Sequence, residues 1–102
     1  MSDKFILDGK KVVPEPDLTK WSQWYEKARE ERIVAKTNVG DMNVSTVFLG
    51  LDHSFGDGPP LLFETMIFGG PEDQEYQERC STWEQAEQMH ERGVQAAREL
   101  LN

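Results

Sequence analysis

The spacing of apolar residues along this chain alternates between a period of two, which suits a strand, and a period of three to four, which suits a helix. Phe5-Ile6-Leu7 and Val12-Val13 flank Asp8-Gly9, a pair favourable to a tight hairpin turn, and Pro14 and Pro16 stop the second arm because neither can donate to a ladder. A hairpin alone is marginal in water, so this one is expected to pack on or extend a larger sheet. Asp17 is a good N-cap for a helix running to about Glu31. On that helix Leu18, Trp21, Tyr25 and Ala28 fall within an arc of about 80°, with Trp24 on one flank and Lys20, Gln23, Lys27 and Glu30 on the other face. The Trp spacing is what helix packing needs, so a core role is expected rather than a ligand cage.

Strand character returns from Arg32 to Val39, and Val39-Gly40-Asp41-Met42-Asn43 reads as the turn of a second hairpin. Its partner, Val44 to Leu51, is almost continuously apolar or β-branched, as in a central strand, and Gly50 within it signals a bulge or a close backbone approach. A Gly- and Pro-rich loop from Asp52 to Pro60 leads to a further strand, Leu61 to Phe68, which Gly69-Gly70-Pro71 ends. An acidic connection of about ten residues follows. Ser81-Thr82-Trp83-Glu84 then reads as a capping box with Ser81 as the cap. The helix it opens runs to about Leu100 and gathers Trp83, Ala86, His90, Val94, Ala97 and Leu101 within about 80°; Gly93 would let it lie close to a sheet.

These elements predict an α+β fold over a single domain, residues 1–102: a mainly antiparallel sheet made of an N-terminal hairpin and a three-strand meander, with two amphipathic helices on one face. The ten aromatic residues supply the buried area that a 37% apolar content otherwise limits. No apolar run approaches the ~20 residues of a membrane span, and Met1-Ser2-Asp3-Lys4 leads straight into a strand rather than a signal peptide. With Cys80 as the single thiol and no disulfide framework possible, a soluble cytoplasmic protein is the expectation.

The net charge of −8 speaks against direct binding to nucleic acid or to an anionic membrane. Between Pro71 and Glu91 seven acidic residues (Glu72, Asp73, Glu75, Glu78, Glu84, Glu87, Glu91) face one basic residue, Arg79, a local net of −6. Such a band is either a solvated surface or a docking surface for a basic partner, one that normally grips nucleic acid among them. The helix dipole favours Glu84 and Glu87, whereas Glu87 with Glu91 is a like-charge pair costing ~0.2–0.5 kcal/mol.

Candidate chemistry is thin. Asp52 and His53 have the residue types of a general acid–base pair, or of metal ligands joined by Glu64 and His90. Adjacent residues at a strand end point in different directions, and no spacing such as HxxxH occurs, so neither a metal nor a cofactor is expected. In the plainer reading Asp52 and Ser54 cap turns and His53 is exposed. His90, at the centre of an apolar stripe, is expected in the core, bonded to a carbonyl or a carboxylate. Glu64 either reaches water at an open sheet face or needs a buried partner, and the open face is preferred. Cys80 precedes a helix N-terminus but sits among acids that raise a thiol pKa, and the glycines form no phosphate loop.

The stretches Val44 to His53, Leu62-Phe63-Glu64-Thr65-Met66 and Ser81-Thr82-Trp83-Glu84-Gln85-Ala86 with His90 after them, together with Ile6-Leu7-Asp8-Gly9-Lys10, resemble a family of small uncharacterised proteins encoded by tailed bacteriophages and prophages. The resemblance covers most of the chain and brings no catalytic residues with it. It implies the cytoplasm of an infected bacterium, where small acidic accessory proteins bind and block host or defence factors. The acidic band, with His53 and Phe55 of the loop, is then the expected contact with a basic partner surface. The alternative is a small enzyme or ligand-binding domain centred on Asp52, His53, Glu64 and His90.

Overall fold

The Asp8-Gly9 signal resolves into two short strands, β1 (Phe5–Asp8) and β2 (Lys11–Pro14), paired antiparallel from Phe5↔Pro14 to Asp8↔Lys11. Gly9 turns the chain at a φ of 62°, where a side chain would be strained. These and all elements below come from a computed structural model that describes residues 3–101; the expectation for Met1 and Ser2 lies outside it.

Four further strands form an antiparallel meander in the order β3 (Ile33–Val39), β4 (Met42–Phe48), β5 (Phe63–Phe68) and β6 (Gln77–Cys80). Gly40, at a φ of 58°, makes the β3–β4 turn, so β4 starts at Met42 rather than Val44. It also ends at Phe48 rather than Leu51, and β5 starts at Phe63 rather than Leu61.

The sheet therefore has four strands and not three. β6 falls where an irregular acidic connection was expected, because Gln77-Glu78-Arg79-Cys80 carries no apolar alternation. Its pairing with β5, from Phe63↔Cys80 to Met66↔Gln77, rests on backbone bonds and on polar side chains.

Past β4 the backbone continues extended and changes neighbours. Leu49 N donates to Leu62 O (2.7 Å) and His53 N to Leu61 O (3.0 Å) on one side. On the other, Phe5 N donates to Gly50 O (2.8 Å) and Asp52 N to Asp3 O (3.0 Å), around a bridge between Lys4 and Leu51. The N-terminal hairpin is thus a two-stranded sheet of its own, joined to the end of the meander by these bonds and the one bridge, and not part of a single sheet as expected.

Helix α1 (Leu18–Lys27) starts at the predicted cap, where Asp17 Oδ1 accepts from Lys20 N (3.0 Å), but stops at Ala28, short of Glu31. Leu18 is 64% exposed and does not join the buried face; Trp21, Trp24 and Tyr25 carry the contact. Trp21 Nε1 donates to Phe5 O (3.0 Å) and lies 3.2 Å from Gly50 O, and its ring stacks on Tyr25 at 4.9 Å. Gly50, at a φ of 78°, explains itself here, since a Cβ would sit 3.1 Å from the Tyr25 ring and 3.2 Å from the Trp21 ring. The Arg32 guanidinium lies 3.7 Å over the Tyr25 ring.

Helix α2 (Trp83–Leu100) crosses all four strands of the meander. Its cap is Thr82 rather than Ser81: Thr82 Oγ1 accepts from Gln85 N (3.1 Å), and Gln85 Oε1 accepts from the amides of Ser81 (3.1 Å) and Thr82 (3.2 Å). The box is present, one residue later than predicted, with Gln85 in the role expected of Glu84. The buried stripe is Ala86, Met89, His90, Gly93, Val94 and Ala97. Leu101, placed on that stripe by periodicity, is 58% exposed beside Gly40. A Cβ on Gly93 would sit 2.8 Å from Thr65 Cγ2 and 3.0 Å from Val44 Cγ1, so this glycine sets the helix–sheet distance.

Both helices lie on one face of the sheet. Trp24 of α1 meets Phe48 edge-on at 5.8 Å, and the contact continues through Phe63 to Trp83 of α2. Val44, Thr46 and Phe48 of β4 and Phe63, Thr65 and Ile67 of β5 point into this layer and are fully buried. Leu62, just before β5, is also fully buried. The intervening residues, Ser45 and Val47 with Glu64, Met66 and Phe68, form the opposite face, which no helix among the described residues covers.

Candidate functional site

The loop from Asp52 to Pro60 is built on the Asp52 carboxylate. Asp52 Oδ1 accepts from Ser54 N (2.8 Å) and from Leu61 N (3.0 Å), tying the loop's entry to its exit. The Ser54 amide, then the Ser54 hydroxyl, the Leu61 amide and the neighbouring His53 hold this carboxyl below its ordinary 3.8, against a smaller opposing effect of burial. A carboxylate engaged in this way is a poor general base, and it matches the turn-capping role expected of it. Gly56 at the tip has a φ of 91°, and Phe55 beside it is 100% exposed. His53 is half-buried at the base. Below the loop lies an open concavity of about 370 Å³ lined by Asp3, Phe5, Asp52, Gly56, Asp57, Gly58 and Pro60.

The four residues with candidate chemistry do not converge. Glu64 is on the uncovered sheet face, where Oε2 accepts from Arg79 Nε (2.9 Å) and Gln77 Nε2 (2.8 Å) of β6. That is the open-face position expected, with a cross-strand partner added. His90 lies on the other side of the sheet from it, on the buried stripe of α2, and is 4% exposed. Its partners are hydroxyls and not the carbonyl or carboxylate expected: Nδ1 lies 2.7 Å from Thr46 Oγ1 and Nε2 lies 2.8 Å from Thr37 Oγ1. Thr46 Oγ1 is in turn 2.5 Å from Thr65 Oγ1, so β3, β4, β5 and α2 share one buried polar chain. Burial lowers the imidazole below its ordinary 6.5, with Glu91 opposing. Among the described residues no group of three His, Cys, Asp or Glu side chains is placed to hold a metal ion.

Cys80 is half-buried at the end of β6, its Sγ 3.7 Å from Thr82 O. Burial is the main cause that pushes its thiol above 9.0, so a reactive thiolate is disfavoured.

The acidic band is continuous in sequence and divided in space. Glu72, Asp73 and Glu75 occupy an exposed turn after β5, closed by Gln74 N donating to Ile67 O (2.9 Å) and by Gly69 N donating to Asp73 Oδ1 (2.6 Å). Gly69 and Gly70 pack there against Asp41 and Met42, so this turn sits at the β3–β4 hairpin end of the sheet. Glu84 sits at the other end, in the first turn of α2, where it lines a concavity with Lys10, Lys11 and Trp83. Glu87 and Glu91 follow it along the exposed flank of the helix. Glu78 is different in kind. It faces α2, accepts from Arg92 Nη2 (2.5 Å) and Nε (3.2 Å) and from the Tyr76 hydroxyl (3.2 Å), and clamps β6 to the helix. The Arg92 bonds are the main cause that lowers its carboxyl below 4.5.

Sequence reasoning missed Thr37 and Thr46 as partners of His90, with Thr65 bonded to Thr46 behind them, and Arg92 as the partner of Glu78. A signal for the first was present in the two threonines amid apolar runs of central strands, which need a hydroxyl partner when buried.

Neither a protein-family model, nor a curated protein, nor a solved structure matches this chain. Among the described residues no helix is long and apolar enough to cross a membrane.

Proposed function

We propose that this is a small accessory protein of phage type that works by protein–protein interaction in the cytoplasm of an infected bacterium. In this reading it binds and inhibits a host or defence factor through that factor's basic, nucleic-acid-binding surface, touching neither nucleic acid nor membrane itself. The observation that carries the reading is the contrast between two sets of residues. Asp52, Glu64 and His90 are each engaged in holding the fold, while Glu84, Glu87, Glu91 and Phe55 are exposed and form no ion pair among the described residues. An exposed aromatic on a loop with a fixed base is the kind of anchor that interfaces use. A flank of carboxylates supplies steering toward a basic partner.

Immobilised protein presented with a bacterial lysate tests this. Bound host proteins should be retained at low salt and released at high salt. They should be lost on combined Glu84→Lys, Glu87→Lys and Glu91→Lys reversal and reduced by Phe55→Ala, with unchanged thermal melting of each variant. Capture that ignores the charge reversal would remove the basis of the proposal.

The concavity beneath the loop favours a second reading, a small enzyme or ligand-binding domain centred on the Asp52–His53 loop, with Asp52 in the wall of the concavity and His53 beside it in the chain. It predicts that His53→Ala abolishes ligand binding or phenotype without lowering the melting temperature. If both survive the change, that reading is wrong.

A further inference from the structure

Three lysine or arginine side chains are half-buried among the described residues: Lys4, Arg32 and Arg79. Lys4 lies 3.3 Å from Asp3, and Arg79 lies 2.9 Å from Glu64. Arg32 differs from both, since among the described residues no carboxylate and no other acceptor engages its guanidinium. Its Nε is sealed from water without a partner, whereas the Nη atoms, equally unpartnered, are not sealed and so reach solvent. A buried donor left unpaired in a native fold calls for an explanation. We infer that Arg32 is a binding site for a carboxylate supplied from outside the chain.

Packing, not hydrogen bonding, holds this guanidinium in place. It lies 3.7 Å over the ring of Tyr25, which stacks in turn on Trp21 at 4.9 Å. The Trp21 indole is fixed by Phe5 O at 3.0 Å, and the Arg32 carbonyl accepts from Phe48 N (2.7 Å), so both ends of the stack are tied to strands. Stacking on Tyr25 explains why a charged group can leave bulk water here. It leaves the N–H donors unused, because a ring meets the flat face of a guanidinium while its N–H bonds lie in the plane. The exposed edge therefore presents two Nη atoms in a fixed fork, the geometry that takes both oxygens of one carboxylate. Charge favours such a monoanion over a phosphate dianion. From Tyr25 to Ile33 the chain carries Glu26, Glu30 and Glu31 against Lys27, Arg29 and Arg32, a net of zero, within a whole of −8. One guanidinium compensates one negative charge, and a second meets the repulsion of the rest.

The arginine Nε–Hε resonances of isotope-labelled protein test this, with the exposed Arg29 and Arg98 as controls in the same spectrum. Titration with sodium acetate at constant ionic strength should shift the Arg32 signal along a saturating curve and leave the signals of Arg29 and Arg98 in place. Tyr25→Leu keeps Arg32 and removes its platform, and should weaken acetate binding about tenfold. Inorganic phosphate in a parallel titration should act more weakly than acetate. An Arg32 signal that moves no more than those of Arg29 and Arg98 would overturn the inference, and that wild-type comparison decides it even if Tyr25→Leu does not fold. Tighter binding of phosphate than of acetate would overturn the assignment to a carboxylate.

Discussion

The imidazole of His90 lies 2.7 Å from the Thr46 hydroxyl and 2.8 Å from that of Thr37, in a layer with almost no access to water. Desolvation favours the neutral ring in the folded state, so its pKa lies below the ordinary 6.5. The unfolded chain then binds more protons as pH falls through that value. His90 thus contributes stability that is complete above about pH 6.5 and declines below it, by at most about 1.4 kcal/mol per pH unit. Melting temperatures measured from pH 7 to pH 5 should fall by several degrees, and His90→Gln should flatten that slope while lowering the plateau. Asp52 and Glu78, with lowered carboxyl pKa values, lose their contributions only below about their ordinary 3.8 and 4.5. The two effects are therefore separable in pH.

Gly50 and Gly9 both have positive φ, and they differ in what surrounds them. A Cβ at Gly50 meets the rings of Tyr25 and Trp21, whereas at Gly9 it meets open space. Gly9→Ala should cost about 1 kcal/mol for backbone strain alone, and Gly50→Ala that amount plus about 1–3 kcal/mol of overpacking. Urea denaturation of the two variants measures the difference.

The Asp52 carboxylate closes the loop through two amides. Asp52→Ala leaves both without that acceptor and should cost about 1–3 kcal/mol, and limited proteolysis should then cut between residues 53 and 60. Asp52→Asn keeps a carbonyl oxygen in place and should restore most of the resistance. If alanine leaves cleavage unchanged, the loop is not held from its base.

The α2 cap separates two adjacent hydroxyls. Thr82→Ala should destabilise by about 1 kcal/mol, as loss of an N-cap does, while Ser81→Ala should stay within about 0.5 kcal/mol. The reverse order in chemical denaturation would return the cap to Ser81.

Where an element buries apolar residues at a regular spacing, its sequence announces it. That covers the first hairpin, the strands around Val44 and Ile67, and α2 with Gly93 at its contact point. β6 went unread because an edge strand can form from Gln77-Glu78-Arg79-Cys80 when the neighbouring strand supplies its backbone partners and Arg92 anchors it from above. The end of α1 was overestimated because Arg29 to Glu31 have good helix propensity, and tertiary context outweighs propensity there. At the candidate site, the capping role of Asp52 was legible from local chemistry. The separation of Glu64 from His90 follows from strand alternation: His90 contacts the face that Thr65 shares, so Glu64, one residue earlier, points to the other. The division of the acidic band was hidden, since a run of nearby charges says nothing about the chain reversing through β6.

The strand that begins at Met42 hands over from one neighbour to another at Gly50, from β3 to the N-terminal segment around Lys4. The first hairpin is consequently a leaf hinged on a short seam, closed by the amides of Phe5 and Asp52 and latched by the indole of Trp21. The seam is not its only hold, since Leu7 of this leaf is buried in one cluster with Phe48, Leu62 and Phe63. In native-state hydrogen exchange those two amides should open together, at a lower free energy than the amides of β4, and Trp21 emission should shift in the same event.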